Sequence, residues 1–525
     1  MDDVGTRSRS TSTGAAAVAL AGVGLAGMAI VGAAPGSPFQ PALTPNGQPK
    51  GLLKDIALRF GLGSIHGNVQ LFVATTVSVL AVAAFLFLLR EAFRGGVSLR
   101  LVAGLVVFVH VALLFVPLLF SRDVYSYAYY GRIAGVYGGN PYVETPLDHS
   151  GDLLWGYVGP KWVDTPAVYG PAWTSLSAGL SRFLPKPVDH VEAYRFLAIV
   201  ASLATCAALV WVMRMRWPGR AAFALVAFGA NPVVLFHSIA SGHNDLLLAL
   251  AVVVALGLVL RDRPLPAVAV LTLGALVKAS AVIPLVLLIV WYVGGRPSGE
   301  RRRALATSAG LAGGLAFAFS LPYLQLQDPT LGMLTLAGHE GWLAPSMALN
   351  HLLDFVSFHT LGWVARVGFA GLLLVSLIGI GREVWRRAPD RSVGALAAAW
   401  GWSLLLLALL GPVLLPWYVV WALPLAWALP RLPRLALLGV GAVLAVTLWS
   451  AEPLRYPGAF GVNLFVGHWV VTPALLVVLV LLLRELRSRL RLGFGLQDEA
   501  LTDEIVAVPQ VAEPLERIPA PARQA

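Results

Sequence analysis

Apolar runs of about twenty residues, separated by short polar or Gly/Pro-containing breaks, recur along almost the whole chain, as in VQLFVATTVSVLAVAAFLFLL and LRLVAGLVVFVHVALLFVPLLF. A helix of about twenty residues crosses a hydrocarbon core of ~30 Å, and backbone groups in lipid must be hydrogen-bonded within the span. The pattern therefore predicts an all-α polytopic membrane protein. Candidate spans fall at 14–34, 68–89, 99–120, 191–213, 221–238, 244–260, 264–277, 280–295, 304–322, 360–381, 392–410, 415–430, 435–450 and 464–484, which makes about 13–14. The 264–295 region holds only about thirty residues between two basic loops, so it is expected as two short helices in a hairpin with Lys278 at the tip. No internal repeat is visible, which counts mildly against a transporter built from duplicated halves.

Composition agrees with lipid as the main solvent: 58% of the 525 residues are hydrophobic and 12% charged, which fits no soluble class. A net charge of +11 could suit nucleic acid, but the basic residues sit in short clusters between spans, so no nucleic-acid partner is expected. Cys206 is the single cysteine, which leaves no intrachain disulfide and no cysteine-based metal site. Arg7 and Arg9 before an apolar stretch ending in VGAAPG would also fit a signal peptide, but the apolar run is long for one, and an uncleaved first span is expected.

Charge sets the orientation, because Lys and Arg are retained on the cytoplasmic side. With the N-terminus inside, the cytoplasmic loops are REAFRGGVSLR, RMRWPGR, RDRP, GGRPSGERRR, GREVWRRAPDR, RLPR and RELRSRLR, all Arg-rich. The alternate loops carry the aromatic, Asn, His and carboxylate residues: 121–190, the SGHND turn, 323–359, GPVLLPWY at 411 and AEPLRYPGAFGVN at 451. Chemistry is therefore expected on the outer face of a 14–485 membrane domain, between a cytoplasmic tail at 1–13 and a largely disordered cytoplasmic tail at 486–525.

Three groups of residues could carry it. In FSRDVYSYAYYGRIAGVYGGNPYVETPLDH, Asp123 sits where the third span leaves the membrane, and a helix there would align it with Tyr127 and Tyr130. Tyrosines at that depth commonly form an interfacial belt, but a carboxylate there is costly to keep without a role. It could accept a proton from a hydroxyl attacking a carbon with a good leaving group, as in sugar transfer. The same loop offers Asn140, Glu144, Asp148, Asp152, Trp155, Trp162, Asp164, Tyr169 and Trp173; each alone is an ordinary loop residue, but the Pro and Gly positions of WVDTPAVYGPAW direct the backbone to the next helix.

The second group is NPVVLFHSIASGHNDLLLAL, where Asn244 or Asp245 would make a good N-cap and a helix N-terminus also favours a phosphate. His243, and His237 about two turns upstream, could face the same cavity. Third, Lys278 in GALVKASAVIPL is the only lysine beyond residue 186. It could snorkel, or, at the outer side, neutralise a phosphate leaving group. LAGHEGWLAPSMALNHLLD adds His339, Glu340, Trp342 and Asn350; its HE lacks the second histidine of HExxH. No Walker motif or dinucleotide fingerprint is present.

FSRDVYSYAYYGRIAGVYGGNPY, TPAVYGPAW, NPVVLFHSIASGHND and the lone lysine of GALVKASAVIPL together resemble the GT-C membrane glycosyltransferases, and among them the actinobacterial polyprenol-phosphate-mannose-dependent α-1,6-mannosyltransferases of the MptA/MptB type. The likeness covers about residues 68–485 in layout and is specific in the first outer loop and the GHND turn; SIAS before that turn departs from a more Gly-rich run. The resemblance implies a GT-C-like bundle that takes a sugar, mannose with glucose or arabinose left open, from a polyprenyl-phosphate donor by inverting displacement. It implies a glycan or glycolipid acceptor at the outer face and no nucleotide sugar; no cofactor is expected from the sequence, and a divalent metal stays open. It makes Asp123 the general base, Arg122, His243 and Lys278 the phosphate contacts, and Tyr127, Tyr130, Asn140, Trp173, Asn244, Asp245, His339 and Glu340 the substrate-binding candidates. A transporter or lipid-linked-sugar flippase is the alternative, but it would concentrate charge near the midplane, whereas these residues lie at outer span ends.

Overall fold

The computed structural model describes residues 11–43, 51–324, 341, 343–355, 362–447, 456–493 and 495–499. Among them there are eighteen α-helices and no strand. The N-terminal part comprises α1 (Ser12–Ala33), a short α2 (Leu52–Arg59), α3 (Gly67–Phe93) and α4 (Leu99–Ala112). The 121–190 segment folds into α5 (Asp123–Gly135), several single 3₁₀ turns and α6 (Pro171–Ser181). The central bundle follows with α7 (Pro187–Arg216), α8 (Ala221–Gly229), α9 (Asp245–Leu260), α10 (Pro264–Val277), α11 (Val282–Gly294) and α12 (Arg301–Ser320). The chain ends with α13 (Pro345–Phe355), α14 (Gly362–Arg387), α15 (Val393–Leu410), α16 (Arg431–Ala445), α17 (Pro457–Val466) and α18 (Thr472–Leu492).

The protein is a multi-pass membrane protein: seven described helices are long and apolar enough to cross a bilayer, or eight if one bent pair counts as a span. Other apolar segments are shorter than a full crossing, including Leu99–Phe115, Asp245–Leu260, Pro264–Val277 and Ala279–Gly294. Helix starts follow local chemistry. Thr11 Oγ1 accepts from Gly14 N at 2.9 Å at the head of α1, Ser98 and Ser392 cap α4 and α15 in the same way, and prolines open α6, α7 and α10, where their missing N–H is harmless.

Two of the expected spans take other forms. The 221–238 segment is α8 followed by a π-helical stretch, Val233–Ile239, bent from it by 42°. The 415–430 segment is no α-helix; Pro416 and Pro424 each remove a backbone donor, and it runs as 3₁₀ turns, Pro416–Trp421 and Leu423–Leu425. By contrast, α10 and α11 form the short hairpin expected at 264–295, with Lys278 in extended conformation between them.

The Arg-rich connections gather at one end. Thr11 bonds Gly96, Arg391 pairs with Asp262 at 3.2 Å, and Arg434 lies over Phe93. Residues 495–499 pack at that end instead of trailing away: Asp498 bridges Arg220 at 3.0 Å and Arg434 at 2.6 Å, and Leu496 is buried. The rest of the expected disordered tail, 500–525, lies outside the described residues. At the opposite end, the 121–190 segment packs into its own aromatic core with Tyr194 of α7, built on Tyr125, Tyr127, Tyr129, Tyr130, Trp173 and Tyr194. This core makes a rigid platform of a segment that in sequence is only a long connection.

Candidate active site

Asp123 owes its position to a break in the span before it. Helix α4 ends in a 3₁₀ turn at Leu113–Phe115, and the chain then passes through Phe120 in the left-handed region (φ 61°), a strained conformation for a bulky side chain. Phe120 is held there by its N–H to the Phe39 carbonyl at 2.7 Å and by stacking on His237 at 4.1 Å. The next turn begins α5, where Ser121 Oγ accepts from Asp123 N at 3.1 Å and donates to Asp123 Oδ1 at 2.9 Å. The carboxylate thus sits on a helix N-terminus outside the spans, 24% exposed. Burial pushes its pKa up to about 6, Asp245 adds to the rise, and the Ser121 hydrogen bond and Lys278 pull the other way.

The GHND turn approaches Asp123 from the side. Gly242 takes φ 68°, and a Cβ there would lie 2.7 Å from Val124 Cγ1, so both the turn and its close approach to α5 require glycine. His243, Asn244 and Asp245 are all buried. His243 Nδ1 lies 3.7 Å from Asp123 Oδ2 and 3.9 Å from Asp245 Oδ2 and is within hydrogen-bond distance, 3.2 Å, of the Tyr127 hydroxyl. Its ring stacks on Trp417 at 4.0 Å. Asp245 Oδ1 accepts from Lys278 Nζ at 2.7 Å and from Trp421 Nε1 at 2.5 Å. Lys278 Nζ also lies over the Tyr418 and Trp421 rings, at 5.0 and 5.4 Å, a cation–π seat. Asp123, His243, Asp245 and Lys278 therefore form a chain of neighbours, joined by a hydrogen bond only between Asp245 and Lys278.

The head and the tail of this chain open into the same cavity, of about 480 Å³, which is lined by Asp123, Arg122 and Lys278. That volume lies within the ~300–1,000 Å³ usual for small-molecule sites. Tyr130, Trp162 and Tyr169 from the 121–190 segment line it together with Trp417, Tyr418 and Trp421, and Ile283, Leu407, Val413 and Leu415 supply an apolar flank. A carboxylate, a cation and opposed aromatic rings suit a phosphorylated sugar with an apolar tail. Among the described residues no cluster of three or more His, Cys, Asp and Glu side chains could hold a metal ion.

Other sequence candidates are placed elsewhere. Tyr127 and Trp173 are buried edge to face at 5.2 Å, behind the cavity wall. Asn140 donates to the Tyr323 carbonyl at 3.0 Å. The loop carboxylates hold the loop together: Asp152 pairs with Arg132 at 2.7 Å, Glu144 with His149 at 2.8 Å, and Asp148 caps Thr145. His237 is buried against Phe120. His339, Glu340 and Trp342 lie outside the described residues. Sequence reasoning missed Trp417, Tyr418 and Trp421, although the PWYVVW cluster was a visible signal.

The loop is tied to the lysine by Gly170, whose N–H bonds the Val277 carbonyl at 3.1 Å. A Cβ on Gly170 would lie 2.1 Å from the Leu276 carbonyl oxygen. Gly170→Val is therefore expected to destabilise the protein by about 2 kcal/mol or more, read as a lowered melting temperature in detergent. Gly179→Ala, with nothing within 4 Å of its Cβ, is the control that stays near wild type.

Comparison with known proteins adds the remaining finding. Residues 17–294 match the family described as alpha-(1->6)-mannopyranosyltransferase, N-terminal domain. The chain is 29% identical over 448 residues to alpha-(1->6)-mannopyranosyltransferase A of Mycobacterium tuberculosis, covering 81% of this chain and 83% of that one. It is 30% identical over 243 residues to alpha-(1->6)-mannopyranosyltransferase A of Corynebacterium glutamicum, covering 45% and 48%. A probable alpha-(1->6)-mannopyranosyltransferase of Mycolicibacterium smegmatis is 28% identical over 400 residues, covering 64% and 66%. No solved structure matches the chain.

Proposed function

The chain belongs to the alpha-(1->6)-mannopyranosyltransferase family, and on that basis we propose that it moves a mannosyl residue from a polyprenyl-phosphate donor to a glycan or glycolipid acceptor on the outer face of the membrane. The observation that carries this reading is the pairing of Asp123 and Lys278 in one cavity, at the end of the bundle away from the Arg-rich loops. Retention of Arg on the cytoplasmic side supports placing both termini inside and the cavity outside.

In this mechanism the acceptor hydroxyl attacks C1 of the sugar while Asp123 takes its proton, and the bond from C1 to the phosphate oxygen breaks. Lys278, with Arg122 on the same cavity, neutralises the charge that develops on the leaving polyprenyl phosphate. Asp245 holds Lys278 by its hydrogen bond, and buried His243 lies between Asp245 and Asp123. The apolar flank of Ile283, Leu407, Val413 and Leu415 takes the first isoprene units, and the facing aromatic rings take the sugars. One displacement on a β-linked donor gives an α product.

NMR of the anomeric carbon of the product, made from a β-linked polyprenyl phosphomannose, tests the single displacement; an α linkage is expected and a β linkage would overturn it. A pH profile tests the base. With Asp123 raised to about 6, kcat/KM is expected to be flat above about pH 7. Below pH 6 it should fall about tenfold per unit as the carboxylate takes up its proton. A profile flat down to pH 4.5 would remove Asp123 from that role.

A further inference from the structure

Arg195 lies in α7, only 1% exposed, and no carboxylate lies within ion-pair distance of it among the described residues. A buried charge is retained at a cost unless its donors are satisfied, and here carbonyls take up the Nη donors while the buried Nε has no hydrogen-bond partner. Arg195 Nη1 donates to the Val116 carbonyl, and Nη2 donates to the Pro117 and Ala240 carbonyls at 2.9 and 3.3 Å. Val116 and Pro117 lie where the chain has left its helix on the way to Asp123, and Ala240 closes the π-helical stretch on the way to His243. One guanidinium therefore gathers the free carbonyl groups of both segments, 79 and 45 residues away in sequence.

Two further contacts belong to the same joint. Ser241 Oγ donates to the Leu119 carbonyl at 2.6 Å, and Gly242 lies against the backbone of Tyr194 and Arg195, where its Cβ would be 3.4 Å from the Arg195 nitrogen. The joint is thus where α7, the approach to Asp123 and the GHND turn meet. No direct hydrogen bond joins Asp123 to His243, whose Nδ1 lies 3.7 Å from Asp123 Oδ2. Their separation is set by the two backbone segments that Arg195 holds.

We propose that Arg195 is a positioning residue for the reaction: its planar fork sets the spacing between the proposed base Asp123 and the His243–Asp245–Lys278 chain. The inference rests on the reading of Asp123 as base. Lysine would have to reach all three carbonyls from one atom, whereas the guanidinium reaches them from two nitrogens held at a fixed angle in one plane. Reacting groups displaced by about 1 Å can lose about 10²-fold in rate.

The test measures Arg195→Lys, with Arg195→Met and Asp123→Asn beside it, in nanodiscs with polyprenyl phosphomannose and a short α-mannoside. For Arg195→Lys, kcat per folded molecule is expected to fall about 10- to 100-fold while the donor KM stays within about threefold, and the acid limb of the kcat/KM profile moves as Asp123 shifts against its neighbours. Wild-type kcat in Arg195→Lys would overturn the inference. So would a lower yield of folded protein whose kcat and acid limb per folded molecule are unchanged, because that marks a purely structural arginine. If Arg195→Met fails to fold, Arg195→Lys alone decides. Inactive Asp123→Asn beside a fully active Arg195→Lys removes only the Arg195 proposal, whereas active Asp123→Asn removes the assignment of the base.

Discussion

Asp123→Asn is expected to lose about 10³- to 10⁴-fold in kcat while it binds donor nearly as well and unfolds at a higher temperature. The rate loss follows from removing the group that takes the acceptor's proton. Unchanged binding follows because the asparagine keeps the shape and the Ser121 contact at the head of α5. The gain in stability follows from linkage. Burial raises the folded-state pKa of Asp123 to about 6, so ionising the group inside the fold is unfavourable. That destabilisation is complete above pH 6 and absent below the unfolded value near 4. Each pH unit that separates the folded from the unfolded value corresponds to ~1.4 kcal/mol. The neutral amide therefore recovers at most about 2–3 kcal/mol at pH 7–8 and nothing at pH 3–4. A variant that is less active and more stable is the signature of a functional carboxylate and not of a structural one. Melting curves at pH 7.5 and pH 4, beside single-turnover transfer, measure both halves; a destabilised, fully active variant would refute both.

Lys278→Met is expected to weaken transfer by about 10²- to 10³-fold, in kcat more than in donor KM, because the leaving phosphate gains its full charge only as the bond to C1 breaks. This substitution also strips Asp245 of its partner. Asp245 is wholly buried, and Oδ1 would be left with the Trp421 indole alone. Removing one member of a buried ion pair is expected to destabilise by about 3–5 kcal/mol, so Lys278→Met should melt well below wild type. The double variant Lys278→Met with Asp245→Asn is expected to recover much of that stability and none of the activity. Recovery of transfer in the double variant would mean that Lys278 acts only on Asp245.

The readable parts of this protein are those where one local rule decides. The hairpin of α10 and α11 was legible because two basic loops bracket too few residues for two full spans, and that parity alone put Lys278 at the far end. Asp123 was legible as an ionisable group where a span runs out. The unreadable parts depend on contacts between distant segments. PWYVVW reads as part of an apolar span, and only the fold shows prolines turning it into 3₁₀ structure that presents Trp417, Tyr418 and Trp421 to the cavity. Arg195 reads as a basic residue at the start of a span; its carbonyl partners come from two other elements. Asn140 errs the other way: its amide is used to hold the loop to Tyr323, and composition cannot distinguish a polar group facing substrate from one facing backbone.

One cavity is expected to take a lipid-linked phosphomannose, with Asp123 working there as the base. The most direct test of this expectation is mannosyl transfer from radiolabelled polyprenyl phosphomannose to a short α-mannoside, in proteoliposomes holding this protein alone, wild type against Asp123→Asn. The expected result is transfer by the wild type without any nucleotide sugar and a loss of about 10³-fold or more in the variant. Transfer that requires a nucleotide sugar, or equal rates from the two proteins, would contradict it.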